Sequence, residues 1–214
     1  MALVTSGCRR EPPENPYAPN GEYFEKLDSA GERVLVVDAE QTPAIKLRKR
    51  LSHYKVYDTD MQPLGRVTWE PSLESRSTPR QQGLAMERLG ADEQVSVVKR
   101  ADDVFELSGA ARLERTTRGW AIYASDGEMM GSLERTDAGW KLAPTYDGAG
   151  EPLRVTQREG ASVLVRGDDE LLRVEGGALG ELELLMQGLP GLDPLERTLL
   201  GAWFQSRLSG ESTN

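Results

Sequence analysis

The residues best suited to chemistry stand close together early in the chain: Lys46, Arg48, Lys49 and Arg50, then His53 and Lys55. Six cationic or titratable groups within ten residues, in a chain of formal net charge −9, form the pattern of a site for a phosphate or an anionic lipid headgroup. The same residues also fit a plainer role. Lys46, Arg48 and Arg50 alternate with Ile45 and Leu47 as a half-buried strand requires, and outward Lys and Arg guard a sheet edge against stray pairing.

Other chemistry is poorly supplied. The chain of 214 residues holds one Cys and one His, so it has no intramolecular disulfide, no Cys/His zinc set and no Cys–His nucleophilic pair. His53 has no evident carboxylate or second ligand beside it in sequence. The acidic pairs Asp58/Asp60, Asp102/Asp103 and Asp168/Asp169 lack the dense spacing of a calcium loop and sit where turns are expected, a place Asp favours for its own bonding to the backbone. With 35 acidic residues, facing carboxylates arise by chance, so an envelope hydrolase using two of them is a reading that spacing alone does not support. No catalytic residue, metal or cofactor is expected. A net charge of −9 and a pI near 4.9 also argue against a general nucleic-acid binder, which needs a basic face to release counterions.

The elements that must position these residues are mostly strands. Val34-Leu35-Val36-Val37 reads as a buried strand, and residues 44–48 and 54–57 alternate at period two before a turn at 58–63 and a return through 64–69. Hairpins follow at 120–133, 140–155 and 163–174, turning at Asp126-Gly127, Asp147-Gly148 and Gly167-Asp168. Strands are also expected at 94–99, 104–107, 112–116 and 179–185. Together these give about a dozen strands in an antiparallel meander long enough to close a barrel. Residues 71–94 break the pattern and read as a long surface loop with a helical turn or two at 83–89. Near the end, Asp193 can cap a helix, Pro194 suits its first position, and Glu196 stands where a capping-box carboxylate reaches back. From Thr198 to Phe204 that helix carries no charge, so it is expected to be surrounded by sheet. Trp69, Trp120, Trp140 and Trp203 are expected to fill the space around it, an outward-facing Trp groove being the lesser alternative. No window approaches the roughly 20 apolar residues of a membrane-spanning helix.

The N-terminus has its own signature. Leu3-Val4-Thr5-Ser6-Gly7 runs into Cys8, and a polar segment with Pro12, Pro13, Pro16 and Pro19 follows. This resembles the end of a bacterial lipoprotein signal peptide, with Thr5 where Leu is usual. The resemblance implies acylation at Cys8, an outer-membrane anchor because Arg9 follows the Cys, and a chain that begins inside its signal peptide. Residues 1–8 are then a signal remnant, 9–21 an extended tether, 22–208 a single domain with a helix at 193–208, and 209–214 a disordered tail. Cys8 as an ordinary residue of a loose terminus is the alternative.

Two segments together are similar to the tubby-like superfamily, which includes phospholipid scramblases and LURP-one-related proteins. One is the strand pair from Ile45-Lys46-Leu47-Arg48 through Tyr54-Lys55-Val56-Tyr57-Asp58 to Leu64-Gly65-Arg66-Val67; the other is the charge-poor helix from Asp193. The resemblance, over residues 32–208, implies a closed barrel of about twelve antiparallel strands threaded by one hydrophobic C-terminal helix. It also implies a headgroup site at the basic strand. The leading expectation is a non-enzymatic lipoprotein that serves as a binding or scaffold module for an envelope protein partner. The competing one is a cytoplasmic or membrane-peripheral protein that binds phospholipid headgroups through residues 46–55.

Overall fold

The computed structural model describes residues 32–49, 53–60, 62–68, 84–91, 94–145 and 150–208. Cys8, the tether at 9–21, Arg50, Trp69, most of the 71–94 loop, the turn expected at Asp147-Gly148 and the tail at 209–214 lie outside these residues.

The strands are β1 (Glu32–Asp38), β2 (Pro43–Lys49), β3 (His53–Tyr57), β4 (Pro63–Thr68), β5 (Ala85–Arg88), β6 (Gln94–Ala101), β7 (Val104–Leu107), β8 (Ala111–Arg115), β9 (Gly119–Ala124), β10 (Met129–Thr136), β11 (Gly139–Pro144), β12 (Leu153–Arg158), β13 (Ala161–Arg166) and β14 (Asp169–Glu175). Each pairs antiparallel with its neighbour in sequence, and β14 pairs with β1 to close a barrel of fourteen strands. The fold class expected from period-two patterning is therefore the one observed, with a larger strand count. Part of the difference is β5, which stands where helical turns are expected at 83–89. Ala85 and Met86 are buried there, and the strand pairs β4 on one side and β6 on the other, so without it two unpaired edges would open in the wall.

A barrel this wide has room for more than side chains. Two helices fill it: α1 (Glu181–Gln187) and α2 (Pro194–Leu208). The first lies against β11, β12 and β13, the second against β3, β4 and β5, and the two pack on each other. The strand expected at 179–185 is thus a helix. Its polar-apolar start, Glu181-Leu182-Glu183-Leu184, fits period two, yet Leu182 through Gln187 are all buried. Enclosure on every side leaves no stripe for a helical period to show. Helical geometry satisfies the backbone inside the barrel, where no sheet edge remains open to pair with. The first turn is held by Glu183, whose Oε2 accepts the Gly180 N–H at 2.7 Å, and by Gln205 of α2, whose Oε1 accepts the Leu182 N–H at 3.1 Å.

The start of α2 follows its sequence. Asp193 Oδ1 accepts the N–H groups of Leu195 and Glu196, each at 2.9 Å, and Glu196 Oε2 accepts the Asp193 N–H at 3.0 Å. Leu195, Leu199, Leu200 and Phe204 are fully buried. Trp203 and Phe204 meet Phe105 and Trp120 of the wall with ring centroids 5.0–5.7 Å apart in edge and tilted contacts. Trp120 and Trp203 are the core pieces expected of them, whereas Trp140 is only half-buried. Gly201, which costs about 1 kcal/mol relative to Ala in a free helix, is explained by its neighbour. A Cβ there would lie 2.8 Å from Glu183 Cα, so the close approach it permits is to α1.

Candidate functional site

Strand alternation decides which cations meet. Ile45, Leu47, Tyr54 and Val56 belong to the core around the helices, so Lys46, Arg48, Lys55 and Tyr57 lie on the opposite, outer face. Registers then extend this set across four strands. Arg33 pairs with Arg48, Arg48 with Lys55, Lys55 with Arg66, and Arg66 with Glu87. Neighbouring strands are about 4.8 Å apart, so four cations stand side by side in one row about 15 Å long. Like charges directly opposite one another repel. One end of the row is neutralised: Arg66 Nε donates to Glu87 Oε2 at 2.6 Å.

Burial makes the middle of this face more demanding, although Arg33 at one end is exposed and the Arg66 side chain at the other is 39% exposed. Lys46, Arg48 and Lys55 are only 8%, 6% and 7% exposed, and Val37 and Tyr57 on the same face are buried with them. A half-buried strand with solvated outer cations is therefore not what forms, since Ile45 to Arg48 are buried at four consecutive positions on both faces. Nor do these cations protect an edge, because a closed barrel has none. Charges held from water persist only with opposite charge, dipoles or ring faces against them. Lys46 Nζ stands 5.2 Å from the centre of the Tyr57 ring, and Lys46, Arg48, Lys55 and Arg66 each engage at least one further group.

The basic stretch read from sequence is thus divided. Lys46, Arg48 and Lys55 come together; His53 lies on their face at the next position along β3, opposite Thr68. Lys49 points the other way, its Nζ 5.7 Å from the ring of Tyr54 on the inner face. Arg50 and Cys8 lie outside the described residues. Two members, Arg33 and Arg66, were not visible as such. Each is an isolated cation in its own strand, and only the register sets it beside the others.

The acidic pairs behave as turn residues. Asp58 Oδ1 accepts the Gln62 N–H at 2.7 Å, closing the β3–β4 turn. Asp102 takes Lys99 Nζ at 2.9 Å, and that hydrogen bond, with the charge behind it, holds its carboxyl below the ordinary value. Among the described residues no three His, Cys, Asp or Glu side chains gather as a metal site, and no helix is long and apolar enough to cross a membrane.

No protein-family model, curated protein or solved structure matches the chain. The tubby-like and lipoprotein resemblances accordingly rest on the residues quoted for them.

Proposed function

We propose that the protein is a non-catalytic binding module whose outer β1–β4 wall seats an acidic segment of a partner, held at a bacterial envelope membrane through a lipid on Cys8. One observation carries the binding reading: Arg33, Arg48, Lys55 and Arg66 stand in register across four strands, Arg48 and Lys55 shielded from water and Arg33 and Arg66 open to it at the two ends. In a chain of net charge −9, four cations in register concentrate positive potential on one face, and that potential favours an acidic partner. The membrane part of the reading is supported by the approach to Cys8 and by the Pro-rich segment after it.

The test uses a fluorescent oligoglutamate peptide and, separately, phosphatidylcholine vesicles with and without phosphatidylglycerol. Wild type is compared with Lys55→Met and Arg66→Gln, each checked for cooperative unfolding. The expected result is saturable peptide binding, weakened at least ten-fold in both variants and by added salt. Binding to anionic vesicles, lost in the same variants, would instead assign the row to phospholipid headgroups. Failure with both probes would remove the wall as a recognition surface. For the anchor, intact mass and membrane fractionation of the full reading frame beside Cys8→Ser decide: an unmodified, non-pelleting wild type would end the lipoprotein reading.

A further inference from the structure

Outward side chains of a closed barrel ordinarily meet solvent, as Arg112 of β8 does with its side chain 50% exposed. On β2 and β3 they do not. Lys46, Arg48, Lys55 and Tyr57 face outward and are nevertheless buried. Among the described elements, those that pack on β2 and β3 are their sheet neighbours β1 and β4 and, from inside the barrel, α2. None of these lies over the outer face. Buried cations persist where opposite charge stands against them, and Lys46, Arg48 and Lys55 each engage a further group.

Two stretches of the same chain outside the described residues adjoin this part of the wall. Residues 22–31 run into β1, whose first residue, Glu32, is in register with Lys49 and whose second, Arg33, lies opposite Arg48. Residues 69–83 follow Thr68 of β4, which lies opposite His53. Charge separates the two. The second stretch sets Glu70 and Glu74 against Arg76 and Arg80, so it brings as much repulsion as attraction. The first sets Glu22, Glu25 and Asp28 against Lys26 alone, and its Tyr23, Phe24 and Leu27 offer apolar surface to the buried Val37 and Tyr57. Reach is ample as well: ten residues extend to about 33 Å, against about 15 Å for the row of cations.

We propose that residues 22–31 lie over the β1–β3 part of the wall, their carboxylates against Lys46, Arg48 and Lys55, and that an acidic partner reaches the wall by displacing them. The displacement rests on the binding reading given above; the covering does not. Two measurements on the full chain keep them apart. Zero-length carbodiimide coupling, read by peptide mass spectrometry, should join Lys46 or Lys55 to Glu22, Glu25 or Asp28. A link to Glu70 or Glu74 in its place, or no link from residues 22–28 to either lysine, would overturn the covering. The second measurement compares fluorescent oligoglutamate binding to wild type and to Glu22→Gln/Glu25→Gln/Asp28→Asn, checked for cooperative unfolding. The triple variant should bind about ten-fold more tightly, because the competing segment no longer holds most of the population closed. A triple variant that binds as wild type, while Lys55→Met still weakens binding, would overturn the displacement and leave the wall as a recognition surface. Binding by neither protein would overturn the recognition reading and the displacement together, with the covering still decided by the coupling.

Discussion

The Tyr54 hydroxyl donates to Glu183 Oε1 at 2.7 Å, joining β3 of the wall to α1 inside it. The same carboxylate accepts the Gly180 N–H through its other oxygen, so one buried side chain holds a helix start and a strand together. Burial, reinforced by the Glu183 charge and hydrogen bond, raises the phenol far above its ordinary value.

Linkage gives this pair a pH signature. The folded state keeps the Tyr54 proton after the unfolded chain has lost it, so the contribution is fully present below about pH 10 and declines as pH rises beyond. Urea unfolding from pH 8 to 11 should show wild type losing about 1.4 kcal/mol per pH unit more than Tyr54→Phe above pH 10. At pH 7, Tyr54→Phe should cost about 1–3 kcal/mol, because it leaves a buried carboxylate oxygen short of a donor. Equal pH slopes for the two proteins would show that the phenol is not held protonated by the fold.

Gly201 offers a test in which two effects oppose. Helix propensity alone makes Gly201→Ala stabilising by about 1 kcal/mol. The added Cβ, however, would stand 2.8 Å from Glu183 Cα and 3.2 Å from its carbonyl oxygen, both backbone atoms that move only if α1 moves. Overpacking should prevail, with a net loss of about 1–3 kcal/mol by denaturant unfolding. A stabilised variant would mean the helices can separate at little cost.

Leu199 and Trp203 sit on α2 within the barrel, Leu199 fully buried and Trp203 8% exposed. Leu199→Asp or Trp203→Asp places an unpaired carboxylate among apolar side chains, and should exceed the whole stability of the domain, of order 5–15 kcal/mol. Neither variant should give a soluble protein that unfolds cooperatively. If Leu199→Asp does, the enclosed helix is wrong.

Arg88 of β5 reaches both ends of the α2 cap, with Nη2 2.5 Å from Asp193 Oδ2 and 2.7 Å from Glu196 Oε1. The cap and the ion pairs should separate by substitution. Asp193→Ala removes the acceptor for two helix N–H groups and should cost about 0.5–2 kcal/mol. Arg88→Ala should cost less, up to about 1 kcal/mol, because the Arg88 side chain is 40% exposed and its ion pairs are screened. Thermal unfolding of both at low and at 0.5 M salt should show the Arg88 effect shrinking in larger proportion, because Asp193→Ala removes the cap as well as one of the ion pairs.

Local patterns by themselves determined much of this protein. Asp193, Pro194 and Glu196 announce α2 because a capping box is made within four residues, and the hairpins around Gly127 and Gly167 are legible because turn chemistry and period two are equally local. What tertiary structure alone decided is everything that depends on which segments meet. Residues 181–187 are a helix because they lie inside a closed wall, and enclosure on all sides erases the periodicity that distinguishes helix from strand. β5 is four residues long and is defined by the partners on either side of it. Lys46, Arg48 and Lys55 are near neighbours in sequence, but Arg33 and Arg66 join them only through registers set by the packing of the opposite, apolar face. Arg135 of β10 and Trp140 of β11 likewise come beside the β8–β9 turn only because β10 pairs with both β9 and β11. Side-chain type is written residue by residue; adjacency across a sheet is fixed by the burial of the residues in between.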